Sequence, residues 1–432
     1  MPRNEASVVI QKHIAVIDGA WVGHHSIYVK TFVRVLLEAG YKVSVFCPDQ
    51  EDMTNWYAQA FSLEEGIFNV YYFSDPVVQL PEFLPGRFKS LLICLNQWFH
   101  MSNALKKIQS SAGKPDMVFF AWLDSYLDGF VPAWLIDWRF PFAWSGLYFH
   151  PRHHRIKHRR PLVAKYVPPP ESLVARSRLA CSLAILDAGV VHKVRMRLFA
   201  KQVFVFPDFS DETPPCDNYH LVEEIKAKAK NRKIIGLFGS LERRKGLLTL
   251  LRIAQQPMAG DWCFVVAGEL AEQTFSKQEL NEIKLFLDEP RENFFVCFGR
   301  IPGDAQFNAL VNMCDVIYAV YENFPHSSNL VTKAAAYEKK LLVSSGGYME
   351  EVVNQYELGE AVSAKDVPAA LLALSRLTAD GFANGYSAGK QAYFMAQSQD
   401  NLRHELLDLV EKCIGGAYDR DISHCMKSAD CR

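Results

Sequence analysis

The chain has 432 residues, 47 of them basic and 48 acidic, for a net charge of −1. That length exceeds what one hydrophobic core organises, so two domains of roughly 200 residues each are expected. The balanced charge supplies no global field to hold nucleic acid, and an anionic partner must be met locally.

Ten cysteines occur at scattered spacings without a CxxC pair, and several (Cys47, Cys94, Cys263, Cys297) sit inside apolar runs, as reduced thiols of a reducing compartment do. The first residues, "MPRNEASVVIQKHIAVIDG", lack the uninterrupted apolar core of a signal peptide, and no run approaches the roughly 20 apolar residues that span a bilayer. The expectation is a cytoplasmic protein.

Along the chain, "HIAVID" is a short apolar strand ended by Gly19. "SIYVKTFVRVLLEAG" follows with Val29, Phe32, Val33 and Leu36 at helical spacing, and "YKVSVFCP" is a second strand. Strand, glycine loop, helix and strand make one unit of a parallel sheet. Further strands are predicted at 116–122, 141–147, 182–187 and 202–207, giving an α/β domain over residues 1–207. The polar, proline-containing stretch 208–231 reads as a linker. The pattern then restarts with "KIIGLFGS", "CFVVAGE", "NFFVCFG", "DVIYAV" and "KLLVSS", each followed by a helical stretch, so 232–385 is a second Rossmann-like domain. An amphipathic helix (386–413) is expected to pack back on the first domain, and 414–432 reads as a loose tail. The fold class is α/β: two doubly wound domains facing across a cleft.

Ligands of such sheets bind beyond the carboxyl ends of the strands, so the loops there hold the candidate residues. In "GAWVGHHS", Gly19 and Gly23 allow close backbone approach, His24 and His25 stand beside them, and Ser26 can cap the next helix. In "FGSLERRKG", Gly239 and Ser240 end a strand, and Lys245 can place a point charge on a phosphate. Gly299 and Arg300 end another strand, with backbone groups suited to a base edge. "YENFPHSSNLVTKAAAYEKKLLVSSGG" then supplies Glu322 at a strand end, followed by Ser327, Ser328 and Asn329 at a helix start. Lys333 lies one turn in, and Gly347 and Glu350 follow the next strand. Donors, hydroxyls and carboxylates on successive loops suit a nucleotide diphosphate and a polyol.

The ordered elements "GSLERRKG", "VCFG", "ENFPHS", "KAAAYEKKLLVSSGGYMEE" and "YELGEAVSAKDVPAALLAL" resemble the glycosyltransferases of the glycosyl-transferases-group-1 (family 4-like) type, which have the two-domain GT-B fold. The resemblance covers the second domain nearly end to end and the first mainly in its opening unit. It implies transfer of a sugar from a nucleotide-sugar donor, bound as a substrate with no separate cofactor and no obligatory metal. The acceptor would be a glycan, a lipid-linked compound or a small molecule with a free hydroxyl, in assembly of a surface polysaccharide, glycolipid or other glycan. Lys245 would then neutralise the diphosphate, and Glu322 would match the first acid of the family's E-x7-E element. The chain departs from the family twice. Ser240 replaces the arginine that often follows the strand-end glycine. The second acid falls on Leu330, or with three inserted residues on Lys333. Lys333 therefore reads either as a replacement cation for the diphosphate or as a lysine snorkelling to solvent. The same departures keep open a catalytically silent nucleotide- or sugar-binding protein.

Two first-domain stretches concern the acceptor. The segment 144–166 crowds histidines among arginines and lysines; no acid or cysteine stands near in sequence to complete a zinc site, so no metal is expected. It reads as a basic loop for an anionic or lipid-linked acceptor, or as a solvated loop. Residues 83–108, with Phe88, Leu91, Trp98 and Phe99, make an amphipathic helix that either touches the inner face of a membrane peripherally or packs inside. The candidate acid–base groups are His24, His25, His150 and Asp124.

Overall fold

A computed structural model describes residues 11–21, 25–61, 66–155, 167–209, 213–379 and 386–429. The chain divides into two compact units, residues 1–206 with 402–432, and residues 207–401. Gly23, His24 and the basic stretch 156–166 lie outside the described residues.

The first unit is built on seven parallel strands: β1 His13–Ile17, β2 Lys42–Cys47, β3 Phe68–Tyr72, β4 Met117–Phe120, β5 Trp144–Tyr148, β6 Ser182–Ile185 and β7 Gln202–Val205. Their order is β3-β2-β1-β4-β5-β6-β7. Strands β1, β4, β5 and β6 are buried at every position, as strands covered on both faces must be. Trp98 is fully buried and meets Phe120, Tyr126, Phe140 and Trp144 edge-on, with ring centroids 5.0–5.5 Å apart. Each such pair adds about 0.5–1.5 kcal/mol beyond the area it buries.

The second unit has six parallel strands: β8 Lys233–Phe238, β9 Trp262–Gly268, β10 Phe294–Phe298, β11 Val316–Ala319, β12 Lys340–Ser344 and β13 Gly359–Val362, in the order β10-β9-β8-β11-β12-β13. Alternate residues feed opposite faces. Ile317 and Ala319 of β11 join Phe238, Val265 and Leu341 in one core; Val316 and Tyr318 join Leu237, Phe264 and Leu342 in the other.

Three boundaries differ from the sequence expectation. The stretch read as a linker belongs to the second unit: the carbonyls of Asp208 and Phe209 accept hydrogen bonds from Thr332 and Asn329, and that of Thr213 from Asn308. Its helix, His220–Ala229, buries Leu221, Val222 and Ile225. The single helix expected over 386–413 is two, Tyr386–Ala396 and Gln399–Ala429; the second groups with the first unit from Leu402, where Arg403 pairs with Glu38 and Cys413 lies 3.4 Å from Ser182. The stretch read as a tail carries on as that helix to Ala429, through Gly415 and Gly416; two glycines cost a helix only about 2 kcal/mol, too little to end a long one.

Two strands, β3 and β13, were not expected. Both are edge strands, short and only half-buried, and so lack a strong apolar run. Cys47, Cys94, Cys181, Cys216, Cys263, Cys297, Cys314 and Cys413 are free thiols. No described helix is long and apolar enough to cross a membrane.

Candidate functional site

In each sheet the strand order reverses beside the first strand, between β1 and β4 and between β8 and β11, and in sheets of this kind the ligand crevice forms there, at the carboxyl ends.

In the second unit, β8 delivers Gly239. The short turn Arg243–Lys245 and Gly246 follow, and then helix Leu247–Ala254. Gly246 has φ +77°, and an added Cβ would stand 2.4 Å from the carbonyl of Val320, so only glycine lets this turn close against the end of β11. The turn folds Lys245 back over the strand end: its Nζ donates to the Phe238 carbonyl at 3.2 Å and lies 5.8 Å from the Tyr321 ring. Ser240 is exposed beside it.

Three residues past β11, Glu322 is buried at 6% exposure and receives two cations. Arg243 Nη1 lies 3.1 Å from its Oε2 and Lys365 Nζ, from the loop after β13, also 3.1 Å. Arg243 also donates from Nε to Glu279 Oε1 at 2.7 Å. The Glu279 hydrogen bond and the Glu322 charge raise the guanidinium's already high pKa further. Arg243 and Lys365 had no place among the sequence candidates. "ERRKG" reads as a solvated charge run, and only the fold carries Lys365 to Glu322.

Lys333 does not snorkel. At 5% exposure it points into the unit, donating to Asn308 Oδ1 at 2.8 Å, with its Nζ 5.4 Å from the Phe307 ring. An added Cβ at Gly239 would lie 3.7 Å from that same ring and 3.1 Å from Lys245 Nζ, so Phe307 borders both lysines. Ser328 stands at the N-cap of helix Asn329–Ala336 but makes no side-chain cap bond, its Oγ instead lying 3.4 Å from the Tyr321 hydroxyl. Ser327 is half-buried next to it, and the Asn329 side chain is spent on the Phe209 carbonyl. The helix after β12 begins at Gly347, where Tyr348 N donates to Pro325 O; Glu350 turns back to accept from Gly346 N at 2.6 Å and closes its own loop. Gly299 and Arg300 are exposed on the β10 loop.

In the first unit the strand ends carry proton-handling groups wrapped in aromatics. Asp18 follows β1 at 3% exposure and takes the Nδ1 of His25 at 2.8 Å. With Nδ1–H given to the carboxylate, Nε2 carries the ring's lone pair, the arrangement of an oriented general base. Helix His25–Glu38 starts one residue before Ser26, which is therefore inside it and not its cap. Asp75 approaches Gly19 so closely that a Cβ there would lie 2.1 Å from its Oδ1, and Tyr126 donates to the same oxygen at 3.2 Å. Burial raises the pKa of both Asp18 and Asp75, against the lowering effect of the His25 and Tyr126 hydrogen bonds.

Trp122 joins this group to the end of β5. Its ring stacks on His25 at 4.0 Å and on Phe149 at 3.7 Å, and His150 lies 5.7 Å away. Asp124 accepts from the backbone amides of Phe149 and His150 at 2.8 and 2.9 Å and lies 3.3 Å from His150 Nδ1, so it braces the loop that presents His150. Sequence reasoning placed His25 beside His24 without separating them; the neighbouring Asp18 was the signal.

Glu171 lies beyond the basic stretch and, at zero exposure, accepts from both His153 and His154. The acid that the histidine run lacked in sequence is thus supplied by the fold.

The fold is that of the GT-B glycosyltransferases, two Rossmann-like units in one chain. Among solved structures the chain is similar to sucrose-phosphate synthase from Thermosynechococcus elongatus, with TM-score 0.61 and 16% identity over 94% of this chain and 100% of that one. It is similar to trehalose 6-phosphate synthase from Burkholderia multivorans, with TM-score 0.62 and 11% identity over 96% and 98%. It is also similar to HepE from Anabaena in complex with UDP and glucose, with TM-score 0.61 and 12% identity over 93% and 100%. No family model matches the sequence, and no curated protein does.

Proposed function

We propose that the protein is a glycosyltransferase that moves a sugar, of hexosyl or related type, from a nucleotide-sugar donor to an acceptor hydroxyl. The observation that carries the reading is the β8–β11 crevice: Lys245 is folded over the Gly239 strand end and Glu322 is buried between Arg243 and Lys365. A fold shared with glycosyltransferases, one of them in complex with UDP, supports it.

In this reading Lys245 meets the donor diphosphate, and Ser327, Ser328 and the amides at the start of helix Asn329–Ala336 line the same anion. Lys333 adds its charge from a buried position behind Phe307, where the low dielectric strengthens its field. Glu322 accepts from sugar hydroxyls, and Arg243 and Lys365 hold its carboxylate in place. Arg243 thereby brings back a cation close to where Ser240 leaves one out. Gly299, Arg300, Gly347 and Glu350 shape the rim for the nucleoside. His25, oriented by Asp18, takes the acceptor proton, with His150 beside Trp122 as the second histidine of that pocket. Leaving-group charge falls on lysines, so the transfer needs no metal.

We further propose that the protein works at the cytoplasmic face of a membrane on a glycan or lipid-linked acceptor. Helix Gly86–Ala112 divides its apolar residues: Trp98 is buried, while Phe88 is 56% exposed. Trp134 and Trp138 nearby are 71% and 72% exposed, and Trp134 shares a shallow depression with Phe130, Arg176 and Arg178. Exposed tryptophans among arginines suit an anionic lipid interface.

The second reading, a nucleotide- or sugar-binding protein without turnover, is favoured by one observation: Leu330 and Lys333, the two alignments of the missing second acid, are both buried and neither is a carboxylate. Incubation with a panel of nucleotide-sugars separates the two. Slow release of free nucleoside diphosphate from one donor supports the enzyme, and saturable binding with no release supports the binding protein.

A further inference from the structure

Among the described residues of the first unit, one group of three side chains could ligate a metal ion. His153 and His154 stand on the short helix Arg152–Arg155 after β5, and Glu171 immediately precedes helix Ser172–Arg176. Both Nε2 atoms lie 2.9 Å from Glu171 Oε1, and the three ligand atoms are all within 4.8 Å of one another. Glu171 is fully buried and the His154 side chain is 2% exposed; that of His153 is 18% exposed, so the cluster reaches solvent on one side.

The carboxylate is incompletely satisfied. Oε1 is crowded by the two imidazoles and by Arg197 Nη1 at 3.5 Å, while Oε2 is buried with no hydrogen-bond partner among the described residues. A buried ionised carboxylate with one unpartnered oxygen is costly unless a cation completes it. Arg197 is a weak candidate for that cation, because it touches only Oε1 and its side chain is 40% exposed.

We propose that His153, His154 and Glu171 form a zinc site that ties together the two ends of the basic segment 156–166. Two imidazoles and a carboxylate, with water in the fourth position, are a regular zinc ligand set, whereas calcium and magnesium take oxygen ligands. Tetrahedral zinc places ligand atoms roughly 3.3 Å apart, so the 2.9 Å contacts need open by only about 0.4 Å. The ion sets the geometry from which the basic segment departs, a role independent of the proposed transfer reaction.

The test uses the full chain stripped by chelator and then dialysed against Zn2+, with bound metal measured by elemental analysis and affinity by competition with a chromophoric chelator. Co2+ is the spectroscopic probe. Expected are one Zn2+ per chain and a tetrahedral Co2+ absorption band without thiolate charge transfer. The double variant His153→Ala/His154→Ala should lose both, with affinity lower by on the order of 100-fold or more. His153→Ala alone, at a partly exposed position, serves if the double variant does not fold. Equal zinc binding by wild type and variant, a thiolate signature in the cobalt spectrum, or no binding by folded wild type overturns the proposal.

Discussion

The two crevices are built from opposite materials. At the ends of β1 and β4 the groups are histidines and carboxylates held in aromatic walls, with burial opposing the charge of Asp18 and Asp75; at the ends of β8 and β11 they are lysines and arginines around glycine backbone and one buried acid. The first is suited to moving a proton, the second to holding an anion. If that division is functional, variants in the first unit should change turnover and variants in the second should change donor affinity.

The largest effect is expected at His25. His25→Ala should lower kcat by about 10²- to 10⁴-fold, the usual worth of a general base, and leave donor affinity within a factor of two. Steady-state kinetics with calorimetric donor titration checks it, and a loss of donor affinity would break the comparison. Lys245→Ala should do the reverse, weakening donor binding by about 10- to 100-fold, as loss of a charge-assisted contact of about 1.5–3 kcal/mol does. Lys333→Met keeps the packing but leaves the fully buried Asn308 Oδ1 without its lysine donor. It should cost about 1–3 kcal/mol of stability by chemical denaturation. Its effect on donor affinity should be smaller than that of Lys245→Ala.

The partition between sequence and fold follows the same physics. The central strands were legible because both faces are covered, so "HIAVI" and "VIYA" read as continuous apolar runs. Edge strands β3 and β13 were not, since half-burial erases that signal. Lys245 and Glu322 were legible because strand-end position and the glycine turn identify them. Arg243, Lys365 and Glu171 were not, because their roles depend on partners from 17 to 79 positions away. Of the two readings of Lys333, snorkelling to solvent fails, because the side chain is buried and donates to Asn308.

Smaller effects sharpen the contrast further. Burial raises the Asp75 pKa, so the folded state holds that proton more tightly than the unfolded chain. Asp75 therefore contributes a loss of stability as pH rises from the ordinary 3.8 through its raised value. Asp75→Asn removes that loss. The variant should match or exceed wild-type Tm at pH 7, with the difference vanishing near pH 4 in paired thermal melts. Last, Trp134→Ala/Trp138→Ala should reduce binding to anionic phospholipid vesicles in a flotation assay while leaving Tm and donor affinity unchanged, because both side chains are already mostly in solvent.

The central claim is that the β8–β11 crevice binds a nucleotide-sugar diphosphate through Lys245. The most direct measurement is the thermal shift of wild type and Lys245→Ala across a panel of nucleotide-sugars. One donor at 100 times its dissociation constant should stabilise the wild type by about 2.7 kcal/mol and the variant by clearly less at the same concentration. Equal stabilisation of both proteins by that donor, or no stabilisation of wild type by any, would contradict the account.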